Sequence, residues 1–358
     1  MTRSKKHLLL QALHWAGFLR LVITSQRNKI TILMLHGVID TTVPSTWVPL
    51  RSQLTTEQLS QALKVLSQYY NFISLTEATE MLAGTRPLIP NSLVLTFDDG
   101  YRNNLSFALP ILRQFKIPAT IFLCTANVTE QIPLWFDRLD YAVQSMNNDG
   151  ISRHGIPELE EINFSNRDTL VHSFISFLRR EKTRYPTDMA MRSAILNLTD
   201  RMEQRSGHGL AEIFINDPWS RVLSWDDIRQ AKSEIHFGSH GVNHPQLKLT
   251  PPDITKKELT ESREIIEFHT GRPCRHFAYP YGSFNKEVIL LAKSCQYLSA
   301  VTTIYGLNKQ GSELLTLRRI AFPHAQSSMG ILAAVSGLSS LWLKLNKTIS
   351  IPFSRDQD

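Results

Sequence analysis

Cysteine is scarce. Cys124, Cys274 and Cys295 are the only three in 358 residues, they lie far apart, and no C-x-x-C pair is present. That spacing excludes a disulfide framework and a thiolate zinc site, and leaves burial as small apolar side chains as their expected fate. The body also lacks a surplus of charge of either sign. The formal net charge of +7 sits at the ends: Arg3, Lys5, Lys6, Arg20, Arg27 and Lys29 stand among residues 1–30 without one acid. Residues 325–358 add Lys344, Lys347 and Arg355 against Asp356 and Asp358. The remainder is balanced, so no phosphate-binding face, and no nucleic-acid partner, is indicated. Repeats of fixed period and low-complexity tracts are missing as well, and with 42% hydrophobic residues the chain is expected to bury a large core rather than remain disordered.

Long apolar runs are also lacking. The stretch "HLLLQALHWAGFLRLVI" is interrupted by Gln11, His14 and Arg20, too short and too polar to cross a bilayer, and no small-x-small cleavage site follows it cleanly. A cleavable signal peptide is therefore not expected, and a cytoplasmic or membrane-surface location is favoured. Residues 1–29 form a basic amphipathic segment with Leu9, Leu10, Leu13, Phe18 and Leu21 roughly on one helical face. It suits either peripheral membrane contact or packing on the body. The tail, residues 325–358, contains "MGILAAVSGLSSLWLKL", an expected amphipathic helix over 329–345 open to the same two readings.

What is present is alternation. "ITILMLH" (30–36), "NFISL", "SLVLTF", "ATIFLC", "EIHFGSH", "RHFAYP", "YLSAVTT" and "LLTLRRIAF" read as strands. Between them, "TTEQLSQALKVLSQYY", "TEATEML", "NNLSFALPILRQF" (broken by Pro110), "SWDDIRQAK", Pro252 to His269 and "KEVILLAKSC" read as helices. This order predicts an α/β fold around a largely parallel sheet, open or closed into a barrel. Residues 132–222 break the rhythm with helical pieces and read as an insertion into a domain spanning 30–324.

Three strand ends carry chemistry-bearing residues. After "LVLTF" come Asp98 and Asp99, adjacent acids that can serve one site only if the chain turns, which Gly100 permits. After "EIHFG" come His240 and His244, four apart; one helical turn would bring both imidazoles to one point. Two imidazoles and a carboxylate, with positions left for water, make a catalytic zinc shell. At the third end, Tyr279, Pro280, Tyr281 and Gly282 form a stiff aromatic turn suited to wall a sugar-sized groove and to present a backbone N–H. Each feature alone has a plain structural reading; together they do not. Asp226 and Asp227 look like first-turn helix acids without chemistry.

In order and spacing, "TFDDG", "SHGVNH" and "FAYPYG" resemble the first three motifs of the NodB-type polysaccharide deacetylases. The likeness runs from "ILMLHGV" to about residue 324 and takes in "LSWDDIRQ". It is closest to the subgroup acting on poly-N-acetylglucosamine and other exopolysaccharides. The resemblance implies a distorted (β/α) barrel that removes acetyl groups from an N-acetylated glycan. It further implies Asp99, His240 and His244 as ligands of a divalent metal, zinc or a similar ion, Asp98 as general base and the Tyr281 N–H as oxyanion donor, with Tyr279 and Pro280 at the substrate. Two positions depart from the family pattern. Ala278 stands where many relatives carry the arginine that orients the base, which makes Arg318 and Arg319 the candidate replacements. The late histidine that protonates the leaving amine is matched loosely by His324 in "FPH", with His36, closing the first strand, as a second candidate. A related amidohydrolase acting on a small non-sugar C–N bond, and a carbohydrate-binding pseudoenzyme, are the alternative readings.

Overall fold

The computed structural model describes residues 17–148, 155–325 and 327–338. Seven parallel strands close on themselves: β1 (Lys29–Leu35), β5 (Ser92–Phe97), β6 (Ala119–Leu123), β7 (Ile235–Ser239), β8 (His276–Ala278), β9 (Ser299–Tyr305) and β11 (Leu317–Ala321). Closure is made by β1, which pairs with β5 from Thr31↔Leu93 to Leu35↔Phe97 and with β11 at Leu33↔Ile320. The short strands β2 (Val38–Ile39) and β3 (Leu54–Thr55) pair with each other, while β4 (Asn71–Phe72) extends β5 and β10 (Asn308–Lys309) runs antiparallel to β1. The fold is thus a closed (β/α) barrel, the closed form of the two that strand–helix alternation allows.

The period of two along each strand divides the core. Leu33 and Leu35 of β1, with Leu93, Leu95 and Phe97 of β5, face the surrounding helices. Ile30, Ile32, Val94, Phe122, Ala278, Val301 and Leu317 fill the barrel interior. Leu75, Ala78, Met81 and Leu82 of the helix Leu75–Ala83 pack against that interior layer. From the same helix, Thr76 and Thr79 hydrogen-bond His276 and Ser299 at the starts of β8 and β9. The helix therefore plugs the N-terminal end and leaves the C-terminal end for the site. Its start is set by a capping box, with Ser74 accepting from the Glu77 N–H while Glu77 accepts from the Ser74 N–H.

Between β6 and β7 the helices Trp135–Asn148, Arg167–Arg184 and Asp188–Ser206 build a second core from Leu139, Val143, Phe174, Phe177, Ile195 and Met202. Phe136 and Tyr281 pack against this core, so the inserted helices reach the barrel mouth. Pro110 does not break its helix: a π-helical stretch, Asn104–Ala108, leads into Leu109–Phe115 with Pro110 in the first turn. The wider π-helical turn ahead of it accommodates a residue that lacks an N–H.

At the N-terminus, the helix Phe18–Ser25 buries Leu19, Val22 and Ile23 against the body and leaves Leu21 67% exposed. Leu21, expected on the apolar face, therefore points outward, because Leu19 with Val22 and Ile23 makes a different face at a spacing of three to four residues. Leu9, Leu10 and Leu13 lie outside the described residues. In the tail, Ser328–Val335 is helical with Ile331, Leu332 and Val335 buried, and residues 339–345 of the expected helix lie outside the described residues. All three cysteines are free and buried. Among the described residues no helix is long and apolar enough to cross a membrane.

Gly238, opposite Phe122 across β6 and β7, is a packing requirement: a Cβ there would stand 2.6 Å from the Phe122 ring and 2.9 Å from the His276 carbonyl. Gly238→Ala is expected to destabilise the fold by about 1–3 kcal/mol, read as a lowered urea midpoint with an unchanged slope.

Candidate metal and catalytic site

Asp98 continues the interior-facing register of Val94 and Thr96, and its N–H extends the ladder to the Leu35 carbonyl. Its carboxylate therefore points into the barrel. The chain then reverses at once: Asp99 (φ 74°) and Gly100 (φ 72°) are both left-handed. The turn is begun by Asp99 itself and not by the glycine alone, which costs on the order of 1–3 kcal/mol for a residue with a Cβ. Gly100 is needed besides, since a Cβ there would meet Leu123 at 2.9 Å.

The histidines come from the end of β7. His240 donates its backbone N–H to the Leu123 carbonyl. Its Nδ1 lies 2.7 Å from the Ala278 carbonyl. A carbonyl only accepts, so the proton sits on Nδ1 and the Nε2 lone pair is free. The segment from His240 to His244 is a loop and not the helical turn that the spacing suggested. Gly241 (φ 83°) and His244 (φ 57°) are left-handed. The carboxylate of Glu258 collects the backbone N–H groups of Val242 and Asn243 and the Asn243 side chain at 2.7–2.9 Å. His244 is oriented by ring packing against His240, Tyr281 and Phe136.

Asp99, His240 and His244 are all buried, with ligand atoms within 4.8 Å of one another. The two Nε2 atoms stand 3.7 and 3.5 Å from Asp99 Oδ1. Tetrahedral ligands at zinc-like bond lengths lie roughly 3.3–3.6 Å apart, so the spacing fits a small divalent cation. Electrostatics fit as well. Burial pushes the Asp99 carboxyl up to about 7; Arg51 opposes this, while Asp98 and Asp137 add to it. Burial lowers both imidazoles, keeping them neutral as ligands must be. This is a carboxylate buried beside neutral donors, and a cation is what would stabilise its charge.

Asp98 has its own counter-ion. Arg319, buried in the barrel, donates Nη1 to Oδ1 and Nη2 to Oδ2, both at 2.7 Å, and is anchored through Nε to the Thr302 carbonyl at 2.9 Å. Burial alone would raise the Asp98 carboxyl, but the Arg319 charge and hydrogen bonds outweigh it and hold the group at about 2. Arg319 shares the interior face with Leu317; Arg318, between them, is exposed. Strand alternation thus separates two adjacent arginines that looked equivalent.

The remaining candidates divide. Tyr281, itself left-handed (φ 56°), lies at the centre of the tight turn Pro280–Gly282. Its ring lies 4.4 Å from that of His244. Tyr279 and Pro280 do not wall a groove, contrary to expectation. Both are buried, and Tyr279 stacks on Phe284 and donates its hydroxyl to the Leu315 carbonyl. The cause is register: Phe277 and Tyr279 face the outer helices while Ala278 faces the interior. His324 lies beyond β11, is exposed, and has no hydrogen bond or ion pair to the four inner residues. His36, just past the end of β1, shares the parity of Ile30 and Ile32 and is solvent-exposed. Its imidazole is lowered mainly by the surrounding protein, with Asp98 opposing and Arg51, Arg319 and His240 adding to the effect. Asp227 serves Ser224 in a capping box, and Asp226 pairs with Arg229.

Three members of the site were not among the sequence candidates. Arg51, from the loop before β3, approaches Asp99 Oδ2 at 3.8 Å and pairs with Asp137 at 2.9 Å. Asp137 also accepts the Tyr101 hydroxyl at 2.8 Å. Only Tyr101, two residues past the acid pair, was near a motif; Arg51 stands in an unpatterned segment, and Asp137 in a helical piece of the insertion whose periodicity carries no chemical signal.

A closed parallel barrel bearing an Asp–His–His cluster and a charge-paired acid at its C-terminal mouth defines a class of metal-site barrel proteins. The family model described as polysaccharide deacetylase matches residues 85–300, and the chain belongs to that family. The YxkH protein of Bacillus subtilis (strain 168) is 19% identical over 298 residues, 83% of this chain and 72% of that protein. The poly-beta-1,6-N-acetyl-D-glucosamine N-deacetylase of Escherichia coli (strain K12) is 29% identical over 92 residues, 26% of this chain and 13% of that protein. Among solved structures, the Streptococcus pyogenes deacetylase PplD in complex with acetate superposes with a TM-score of 0.55 at 19% identity, covering 86% of this chain and 98% of that one. IcaB from Ammonifex degensii gives 0.54 at 18%, covering 86% and 97%. At these identities the superpositions establish the fold.

Metal-stripped protein titrated with Zn²⁺ is expected to bind one equivalent at this cluster. Asp99→Ala and His240→Ala should each weaken binding on the order of a hundredfold or more, measured by chelator competition; undiminished affinity in both would place the metal elsewhere.

Proposed function

We propose that the protein is a metal-dependent hydrolase that removes N-acetyl groups from an N-acetylated glycan, releasing acetate, with zinc the expected metal. The observation that carries this reading is the pairing of two differently served acids: Asp99 with two neutral imidazoles, and Asp98 with a dedicated arginine. A binding module would need neither a buried base nor its counter-ion, which disfavours the pseudoenzyme reading. The family disfavours the small-substrate alternative. A poly-N-acetylglucosamine-type exopolysaccharide is the leading substrate, supported by the local likeness to the Escherichia coli enzyme.

Asp99, His240 and His244 would hold the cation, which supplies Lewis acidity to the acetamide carbonyl and makes the attacking water a stronger acid. Asp98 stays ionised across the neutral range and accepts that water's proton. At a pKa of about 2 it is a weak base, so its contribution rests on position and on the water being acidified. Arg319 fixes both Asp98 oxygens, and so fixes the direction from which the proton is taken. The Tyr281 N–H is the candidate donor to the developing oxyanion. For the leaving amine, both His36 and His324 are solvent-exposed; His36, just past β1, is favoured because Asp98, Arg51, Arg319 and His240 act on its imidazole, whereas among the described residues no charged group is seen to act on His324. Peripheral membrane contact through residues 1–29 remains part of the proposal, supported by their uncompensated basic charge and the outward Leu21.

Acetate release from N-acetylglucosamine oligomers by zinc-loaded protein is the direct test, and Asp98→Asn should cut it by about 10²–10⁴-fold with zinc still bound. No release from any such oligomer by loaded protein would refute the activity. Arg319→Gln removes the cation that depresses the Asp98 pKa, so the acidic limb of the pH–rate profile should move to higher pH. The same variant leaves a buried carboxylate unpaired, with an expected loss of about 3–5 kcal/mol in stability. A limb that stays in place in folded protein would separate Arg319 from the base.

A further inference from the structure

The loop carrying the second histidine is gripped from outside the barrel. Asp188 and Arg192 lie one turn apart at the start of the inserted helix Asp188–Ser206. Arg192 Nη2 donates to the carbonyl of His244, and its Nε donates to Asp188 Oδ2 at 2.6 Å. The other oxygen, Asp188 Oδ1, accepts the backbone N–H of Gln246 at 2.8 Å. The two side chains thus take hold of the backbone on both sides of Pro245, a residue that offers no N–H of its own. Both are largely shielded from water, with side-chain exposures of 6% and 19%. The Gln246 side chain ties the same loop to the Lys182 carbonyl of the preceding inserted helix at 3.2 Å.

His244 needs such a hold. Its backbone is left-handed, a conformation a residue with a Cβ keeps only when its surroundings over-determine it. Its ring is oriented by packing rather than by a hydrogen bond to Nδ1, which is buried without a partner. Glu258 secures Val242 and Asn243, but its bonds stop short of His244. Among the described residues, only the inserted helix grips the backbone at the histidine itself.

We propose that Asp188 and Arg192 are positioning residues that set metal affinity by holding His244 in its ligating conformation, so that the inserted helices form part of the metal site. This rests on the reading of Asp99, His240 and His244 as metal ligands. Neither residue touches the ligand atoms, so their effect must pass through the His244–Gln246 backbone.

The test is Zn²⁺ affinity by chelator competition on full-length Asp188→Ala, Arg192→Ala, Arg192→Lys and His244→Ala. Thermal unfolding of each metal-free protein is followed in parallel. The surface pair Arg113–Glu234 supplies a control in Arg113→Ala. Asp188→Ala and Arg192→Ala are expected to weaken Zn²⁺ binding about tenfold to a hundredfold, Arg192→Lys less because one donor remains, and Arg113→Ala not at all. Metal-free unfolding should fall far less than affinity, and Co²⁺ in the loaded variants should show an altered ligand-field spectrum. Wild-type affinity in folded Asp188→Ala and Arg192→Ala, with affinity lost in His244→Ala, would overturn the inference and leave the metal site standing. Wild-type affinity in His244→Ala would overturn both. If an alanine variant does not fold, Arg192→Lys and Asp188→Asn carry the same comparison, and unchanged affinity in both counts against the proposal.

Discussion

Two adjacent carboxylates cannot both be buried and charged at the mouth of a barrel unless each is given a cation, and much of this structure answers that constraint. Desolvation and mutual repulsion oppose ionisation of the pair. Asp98 is provided for from within: Arg319 spans the barrel interior from β11 and meets both carboxylate oxygens. Asp99 is provided for in part by Arg51 and otherwise presents its charge to two imidazoles that cannot supply one. The asymmetry separates the two acids by surroundings. One is held ionised by the protein itself; the other lies among donors whose spacing fits a divalent cation.

The backbone bears the cost of that arrangement. Asp99, His244 and Tyr281 are three of the seven non-glycine residues with left-handed backbone among the described residues, and all three meet at the same mouth. Such conformations persist where surrounding contacts leave no alternative. The supports come from separate elements: Glu258 from a barrel helix, Asp188 and Arg192 from the inserted helices, and Phe136 at the face of His244. The insertion is therefore continuous with the site rather than an appendage, and its own hydrophobic core is what gives those supports stiffness.

Position 278 is an alanine that faces the barrel interior, and the interior arginine comes from β11 instead. The counter-ion to Asp98 is delivered from β11, and Arg319 is held by Thr302 and Thr96 as well as by Asp98.

Local chemistry was legible in the sequence alone. Alternating strand and helix patterns, the acid pair before a glycine and the two histidines at a strand end are short-range features, and periodicity and turn chemistry report such features directly. Even so, spacing misled where two conformations share it: four residues between histidines suit a helical turn, yet glycine and Glu258 make a loop. Aromatic character likewise assigned Tyr279 to a groove, where strand parity sends it to the outer core. Tertiary structure alone decided the closure of the sheet, the choice of Arg319 over Arg318, and the recruitment of Arg51, Asp137, Asp188 and Arg192. These depend on contacts between residues tens to hundreds of positions apart. A lone arginine or aspartate in an unpatterned segment carries no trace of the partner that folding will bring to it.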